Sequence, residues 1–419
     1  MKKLIFGASL LALGLAGNAH AAGYQLNEYS ITGLGRAWAG TGIMGDDYSA
    51  LANNPAGMTL VKRSGMSVGM VEVEEYSVIK DDNGNGTKMH YGVPLPSTFG
   101  QWNVNDKLFL GAGFYVPFGL STKHKTGSFI GQAYAPKGGT RVSELEVMDT
   151  ALAAAYKVTD KLSLGATVIY RYIHGNMTGN FNHPQFGGTI GTVDYDLDGW
   201  TWTGNFGAMY EFTPDTRIGI SYRMKSKQTV KGNLSYNAGN SSPLPTRYFD
   251  DGRASPDLPS SIIISGYHKL NDKLGLSASA KWTNWSVFKH FIMTSPNAVA
   301  TGNPVYAGAG YADHNYQYRD SWTYSLGADI YLTDRWTLRF GAAYDQSPVR
   351  SAAHRSNRIP DVNRTWATAG LSYETDNWQV DFGYAHLFMN KGRTHNDFSV
   401  DAEYSSHSNM YGLNVQYKF

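Results

Sequence analysis

The chain has 419 residues, and its 36 Lys and Arg nearly balance its 34 Asp and Glu. A nucleic-acid binder needs a basic surface, so this balance argues against one. There is no cysteine, which excludes a disulfide framework and a thiolate metal site. Aromatic residues form 13% of the chain and glycines number 47, a composition typical of a membrane-embedded β-barrel with a polar lumen.

The N-terminal residues have the three parts of a secretory signal peptide. Two lysines provide the positive start, residues 4–17 form a short apolar run, and residues 19–21 (AHA) give the small-x-small cleavage pattern. The apolar run is too short to cross a membrane as a helix. We therefore predict that residues 1–21 are a signal peptide and that the mature chain begins at Ala22.

Residues 22–62 show no sustained alternation and carry glycine at positions 23, 33, 35, 40, 42, 45 and 57. A segment of this length ahead of the first strand is either a periplasmic tail or a plug folded inside a lumen. Barrels of about 8 strands are filled by side chains, whereas barrels of about 16 to 18 strands leave an aqueous channel. The number of strands counted below approaches that of barrels with an aqueous channel. We therefore favour a plug inside the lumen, here called a hatch.

From about residue 63 onward, apolar and polar residues alternate in segment after segment. In one such segment, Trp322, Tyr324 and Leu326 share one face, while Thr323 and Ser325 share the other. Successive side chains of a strand point to opposite faces, so each segment has one face suited to lipid and one suited to water. A soluble β-sandwich would also alternate, but its outward face would be polar and aromatic residues would not recur at its strand ends.

Six short turns, each containing Asp, allow the strands to be counted, because each interval between turns holds one strand, a longer loop and a return strand. The turns are Asn105-Asp106-Lys107, Thr159-Asp160-Lys161, Pro214-Asp215-Thr216, Asn271-Asp272-Lys273, Thr333-Asp334-Arg335 and Thr375-Asp376-Asn377. Short turns belong on the periplasmic side, and six of them with both termini periplasmic require seven hairpins. The sequence therefore predicts an all-β fold: a fourteen-stranded antiparallel transmembrane β-barrel over residues 63–419, with residues 22–62 as a hatch inside the lumen.

The third predicted strand contains the most informative irregularity. Leu108 to Tyr115 alternates well, and then Val116-Pro117-Phe118-Gly119-Leu120 interrupts the pattern. Proline removes a donor from the ladder, and glycine in a strand often marks a bulge or a close approach of backbone. Two interpretations stay open on these residues alone: a gap in the barrel wall, or simply the end of the strand.

No motif indicates catalysis, a metal site or a cofactor. His407 and Ser408 are neighbours in a strand and point to opposite faces, so they cannot act as base and nucleophile. The calcium-loop pattern that starts at Asp81 has Gly92 where a carboxylate is required. The aromatic residue Phe419 at the end of the last strand resembles the signal by which the barrel-assembly machinery recognises outer-membrane barrels.

Several motifs resemble those of the FadL-type long-chain fatty-acid transporters, and the matches extend from residue 22 to the last strand. In the hatch they are residues 22–28 (AGYQLNE), 33–37 (GLGRA), 46–47 (DD) and Asn54-Pro55-Ala56. In the barrel they are Leu258-Pro259, Ser265-Gly266-Tyr267, Trp282-Thr283 with Trp285-Ser286, Asp345 with Ser347-Pro348-Val349, Arg355, Ile359-Pro360-Asp361 and Arg364 with Trp366.

The resemblance implies passive transport of a hydrophobic molecule across the outer membrane of a Gram-negative bacterium. It implies a fourteen-stranded barrel plugged by the hatch, with lateral release at an inward kink formed by Val116 to Leu120. Asn54-Pro55-Ala56 is expected beside that kink. The implied hatch and ligand-path residues are Tyr24, Leu26, Leu34, Asn54, Pro55 and Ala56.

Ligand chemistry is the point at which this sequence departs from the family pattern. The lumenal arginine of fatty-acid members near the end of the fifth strand has no clear counterpart here, and an ungapped comparison gives Met177 at its position. By alternation, Arg171, Arg339 and Lys418 face the lumen. Two interpretations stay open for them: they are partners for a ligand carboxylate, or they pair with Asp329, Asp345 or Asp381. A long-chain fatty acid is the favoured ligand, with a monoaromatic hydrocarbon as the alternative and a general aqueous porin as the alternative from another class. Expected partners are outer-membrane lipid, lipopolysaccharide and the assembly machinery, with the protein itself a monomer.

Overall fold

The computed structural model describes residues 23–133, 139–181, 191–240, 242–396 and 399–419. The predicted signal peptide and its cleavage site lie outside these residues. Within the described ranges, no helix is both long enough and apolar enough to cross a membrane.

The described residues form twenty-one strands, numbered here in chain order. The first twelve are β1 Gly65–Lys80, β2 Gly86–Asn103, β3 Leu108–Lys123, β4 Thr140–Lys157, β5 Leu162–Phe181, β6 Gly191–Thr213, β7 Thr216–Arg223, β8 Ser226–Lys227, β9 Val230–Ala238, β10 Arg247–Ala254, β11 Asp257–Leu258 and β12 Ser261–Asn271. The remaining nine are β13 Leu274–Thr283, β14 His290–Thr294, β15 Tyr311–Asn315, β16 Ser321–Tyr331, β17 Trp336–Asp345, β18 Arg364–Glu374, β19 Trp378–Met389, β20 Gly392–Asn396 and β21 Ser399–Lys418.

Helices are short and lie in the N-terminal segment and in the longer loops. The α-helices are α1 Ile31–Gly35, α2 Ala50–Asn53, α3 Phe129–Gln132, α4 Pro296–Ala300 and α5 Pro304–Ala309, and the 3-10 helices are Pro55–Leu60, Trp285–Val287 and Ala352–His354. Helix α1 begins after a polar cap residue, because the Ser30 hydroxyl accepts a hydrogen bond from the Gly33 amide.

Fourteen of the strands form one closed antiparallel ring, here called the wall, which confirms the predicted strand number. They are β1 to β7, β12, β13, β16 to β19 and β21, each paired with the next. The ring closes between the last and first strands, in register from Gly65 opposite Lys418 to Lys80 opposite Glu403. Closure leaves the sheet without outer edge strands, as a membrane-spanning sheet requires.

All six predicted turns join two wall strands and lie at one end of the barrel, here called the turn end. The C-terminus is at the same end, since the Lys418 amide donates to the Asn377 carbonyl at 2.7 Å and the Phe419 amide to the Ser64 carbonyl at 2.8 Å. The shorter strands outside the wall belong to the longer loops at the opposite end, the loop end. Phe419 is half exposed, and its role as an assembly signal stays a prediction.

The two faces of the wall differ as the alternation predicts. Large apolar side chains on the outward face are solvent-exposed in the isolated chain, with Leu152, Trp202 and Leu326 each 67% exposed. Polar residues such as Ser163 and Thr167 point inward and are buried. A closed sheet with an apolar exterior and a polar interior is the structure that a lipid bilayer favours.

Residues 23–62, here called the N-terminal segment, contact inward-facing side chains on widely separated parts of the wall. Arg36 pairs with Asp329 at 3.0 Å, and Thr59 bonds Ser163 at 2.9 Å. Wall glycines permit this close approach: a Cβ added at Gly341 would lie 2.2 Å from the carbonyl carbon of Arg36. Small residues on the inner face therefore make room for the segment.

Candidate functional site

The ladder between β2 and β3 stops partway along the wall. Their last pair toward the loop end is Thr98 opposite Phe114, although β2 stays paired with β1 as far as Gly86 opposite Lys80. The β3–β4 register also shifts between Tyr115 and Phe118. Since β3 itself continues to Lys123, the interruption at 116–120 is not the end of the strand. It is a break in pairing within the wall, next to the proline that cannot donate.

The start of the N-terminal segment bonds to β3 at this break. The Gly119 amide donates to the Tyr24 carbonyl at 2.9 Å, and the Leu26 amide donates to the Pro117 carbonyl at 2.8 Å. Gln25 and Phe118 form an antiparallel bridge. From inside the ring, the segment thus forms hydrogen bonds with backbone groups of β3 that β2 leaves unpaired.

An apolar cavity of about 690 Å³, including its opening, adjoins this contact. Most of its lining is apolar or aromatic: Tyr24, Leu120, Leu145, Ile173, Met177, Tyr195, Leu197, Val230, Pro256, Leu258, Phe288, Phe291, Met293, Tyr316 and Ile359. Such a lining suits a molecule that gains free energy by leaving water.

Tyr24 connects the cavity to the break in the wall. Its ring lies 4.7 Å from that of Trp285 and 5.6 Å from that of Phe288, both edge to face, and 6.0 Å from the Phe118 ring. Burial, and to a lesser extent Tyr316, raises the pKa of Tyr24 well above its ordinary value, so the phenol stays neutral. The rings of Tyr24 and Phe118, between the cavity and the break, are therefore uncharged.

Three polar side chains also line the cavity: Ser143, Glu144 and Arg358. Glu144 is paired with Lys123. Arg358 comes from the loop between β17 and β18, and its Nη1 donates to the Val142 carbonyl at 3.2 Å and the Ser143 hydroxyl at 3.0 Å. No carboxylate of the described residues is within ion-pair distance of this guanidinium.

The three cations suggested by alternation are already paired. Arg171 makes two hydrogen bonds to Asp149, at 2.7 and 2.8 Å. Arg339 lies 3.1 Å from Asp329 and 3.1 Å from Asp46, and Lys418 pairs with Glu374 at the turn end. The structure therefore shows each of them paired with an acid, and a role toward a ligand carboxylate stays a prediction. Alternation places a side chain on a face, but it does not show which acid from another element meets it there.

The expected position of Asn54 beside the β3 kink is wrong. Its amide nitrogen donates to the carbonyls of Ala208, at 3.1 Å, and Ile220, at 3.3 Å, in β6 and β7. Its Oδ1 accepts from the Ala56 amide at 3.1 Å, and this side chain fills the space left by Gly207. The motif therefore anchors the N-terminal segment to another part of the wall. The expectation failed because a short motif does not specify how the segment is rotated within the ring.

The other implied hatch residues divide between two locations. Tyr24 lines the cavity and Leu26 lies at the break, as described above. Leu34 instead packs against wall positions Gly383 and Gly412, in β19 and β21, and does not line the cavity. Pro55 packs near Gly165 of β5. Only the first residues of the N-terminal segment thus meet the candidate site.

Sequence reasoning missed most of the cavity lining, since much of it comes from the loops. Phe288, Met293, Tyr316 and Arg358 all follow the end of a wall strand, where alternation is lost. The available signals were the resemblance motifs around Trp285 and around 359–361, whose neighbours line the cavity.

The family model described as "Outer membrane protein transport protein (OMPP1/FadL/TodX)" matches residues 12–419. The chain belongs to this family. It is 31% identical to outer membrane protein P1 of Haemophilus influenzae over 100% of both chains, and 27% identical to the long-chain fatty acid transport protein of Escherichia coli, again over 100% of both. It is therefore an outer-membrane transport protein of a family that carries hydrophobic compounds.

A solved structure of a FadL homologue from Pseudomonas aeruginosa has the same fold. It superposes with a TM-score of 0.81 over 95% of this chain and 100% of that chain, at 23% sequence identity. At this identity the likeness shows the barrel architecture alone, and the site must be argued from the residues present here.

Proposed function

We propose that this FadL-family protein transports long-chain fatty acids across the outer membrane by passive diffusion, with lateral release into the bilayer. The observation that carries the proposal is the apolar cavity beside the break between β2 and β3, joined by Tyr24. A ligand in the cavity would leave through the wall, past Phe118 and Gly119, without entering an aqueous pore.

The driving force along this path is apolar burial. Each methylene removed from water contributes roughly 0.8 kcal/mol, so a long acyl chain carries on the order of 10 kcal/mol. A water-filled channel offers no such contact, whereas a series of apolar sites that ends in lipid offers it at each step. A gradient is then sufficient, and no energy source is needed.

We further propose that the N-terminal segment is the hatch that keeps the lumen closed to water and ions. Its contacts with β5, β6, β7 and β16, through Thr59, Asn54 and Arg36, support this role. The fatty acid is favoured as ligand because the E. coli relative is a long-chain fatty acid transport protein and the cavity combines apolar walls with one cationic group.

Uptake by whole cells tests the ligand class. A strain that lacks its own fatty-acid transporter should regain growth on oleate when it produces this chain. Recovery of toluene uptake without oleate uptake would overturn the fatty-acid assignment in favour of an aromatic hydrocarbon.

Liposome swelling tests the class of channel. Liposomes that contain the full protein should not swell in isosmotic sugar, because the hatch closes the lumen. Swelling at the rate of a general porin would replace the proposal with an aqueous pore.

A further inference from the structure

We infer that Arg358 binds the carboxylate of the transported fatty acid in the apolar cavity. The inference rests on the proposed function and adds to it a residue that determines ligand specificity. The cation comes from the loop between β17 and β18, and wall alternation does not indicate it.

The orientation of Arg358 is fixed while part of its hydrogen-bonding capacity stays open. Its hydrogen bonds to Val142 and Ser143, in β4, both use Nη1. No bond of Nε or Nη2 to another described residue is present. A guanidinium is a planar fork that matches a carboxylate with two parallel N–H groups, so a ligand can meet the open side.

The charge environment distinguishes Arg358 from the arginines of the wall. Arg171 and Arg339 are each neutralised by aspartates, whereas no acid of the described ranges pairs with Arg358. Burial lowers the pKa of its guanidinium, opposed only by Tyr316. The nearby His314 is neutral, since burial and then Arg358 lower its pKa to about 3. Arg358 is half-buried, and a cation removed in part from water without an anion is costly; a ligand carboxylate would offset that cost.

Arg358 and Tyr24 line the same cavity. Arg358 lies on the side of β4, and Tyr24 lies beside the break between β2 and β3. Glu144, the one acid in the lining, is paired with Lys123 and so does not neutralise the guanidinium. The acyl chain of a fatty acid would contact the apolar lining, and its carboxylate would pair with Arg358. An uncharged molecule of equal length would leave the cation unpaired.

Binding of oleate and of oleyl alcohol to the purified full-length protein separates charge recognition from apolar contact. The native protein should bind oleate more tightly than the alcohol. Arg358→Met should weaken oleate binding by about 10- to 100-fold, the usual effect of losing a hydrogen bond to a charged group. Binding of the alcohol should change by less than about twofold, since the substituted side chain stays apolar and long. Arg358→Lys keeps the charge and should recover part of the preference.

Arg355→Met is the matched control, because Arg355 lies in the same loop and bonds to the carbonyls of Asp361 and Arg393 outside the cavity. It should leave the ratio of the two affinities unchanged. Equal binding of acid and alcohol by the native protein, or an equal loss of both in Arg358→Met, would overturn the assignment of Arg358. Absence of binding of both compounds to the native protein would overturn the proposed function, and this inference with it.

Discussion

The two parts of the N-terminal segment are held by different kinds of interaction. Its anchored part, residues 31–62, includes Arg36, whose guanidinium lies 2.6 Å from Asp46 and 3.0 Å from Asp329. Arg339 contacts both acids at 3.1 Å. Burial alone would raise the pKa of Asp46, but the two arginines outweigh it and hold the pKa well below its ordinary value. This buried charge network joins the segment to β16 and β17.

The leading part, residues 23–27, has no such network. It is joined to β3 by the two backbone hydrogen bonds of Tyr24 and Leu26 and by the contact of Tyr24 with Phe118. Side-chain bonds of Lys281 to Asn27 and of Thr283 to Gln25 join it to β13, and Tyr24 also contacts Trp285 and Phe288. A neutral hydrogen bond contributes only about 0.5 to 1.5 kcal/mol net. A hydrophobic ligand can also replace aromatic contacts with its own. We therefore expect the anchored part to keep the barrel closed and the leading part to yield at the break.

Deletion of residues 22–62 should have the largest effect. The barrel should still assemble, because the wall hydrogen bonds do not depend on this segment, and it should then conduct ions. Conductance in planar bilayers measures the change, with the full protein as the silent control. A truncated barrel that stays electrically silent would show that the anchored part does not close the lumen.

Gly119→Phe should abolish uptake while ligand still copurifies. A Cβ at this position would already lie 3.0 Å from Leu26 Cδ1, so an aromatic ring fills the break that the leading part borders. Gly266→Phe is the matched control, since a Cβ added at this position meets no heavy atom within 4 Å. Normal oleate uptake by Gly119→Phe would argue against lateral release here. Ala56→Trp does not test the break, because Ala56 lies with Asn54 near β6 and β7. It tests the packing of the anchored part.

Arg36→Met should loosen the anchored part. Removing one partner of a buried ion pair costs about 3 to 5 kcal/mol, so the segment should become accessible to protease and the barrel should conduct intermittently. Arg393→Met breaks the exposed pair with Asp82 and should cost less than about 1 kcal/mol. Equal protease resistance of the native protein and Arg36→Met would mean that packing, rather than the charge network, fixes this part.

The smallest effect concerns Glu28, between the two parts. Burial raises its pKa from the ordinary 4.5 to about 7, opposed by the amide of Asn27. Its folded pKa is the higher one, so docking should be strongest below about pH 4.5 and should weaken as the pH rises through 7. Protease resistance of the segment, followed across this range, measures the slope. Glu28→Gln should remove that slope, and a slope that persists in this variant would exclude Glu28 as its source.

The sequence by itself determined the wall. Strand faces repeat every two residues and turns occupy a few adjacent positions, so both signals are local, and fourteen strands follow from six turns. The irregularity in β3 is local as well, because Pro117 cannot donate whatever lies beside it. Whether it marked a break in the wall or the end of the strand was decided only by the structure. The inward direction of Arg171 and Arg339 follows from the same alternation, and both side chains are buried.

Only the tertiary structure decided what meets across the lumen. Asn54 reaches β6 and β7, instead of the β3 kink, because the rotation of the N-terminal segment depends on glycines in distant strands such as Gly207 and Gly341. Arg171 and Arg339 are neutralised by acids from other elements, whereas Arg358 reaches the cavity from a loop without alternation. Each of these contacts joins residues far apart in the chain, so no local pattern carries it.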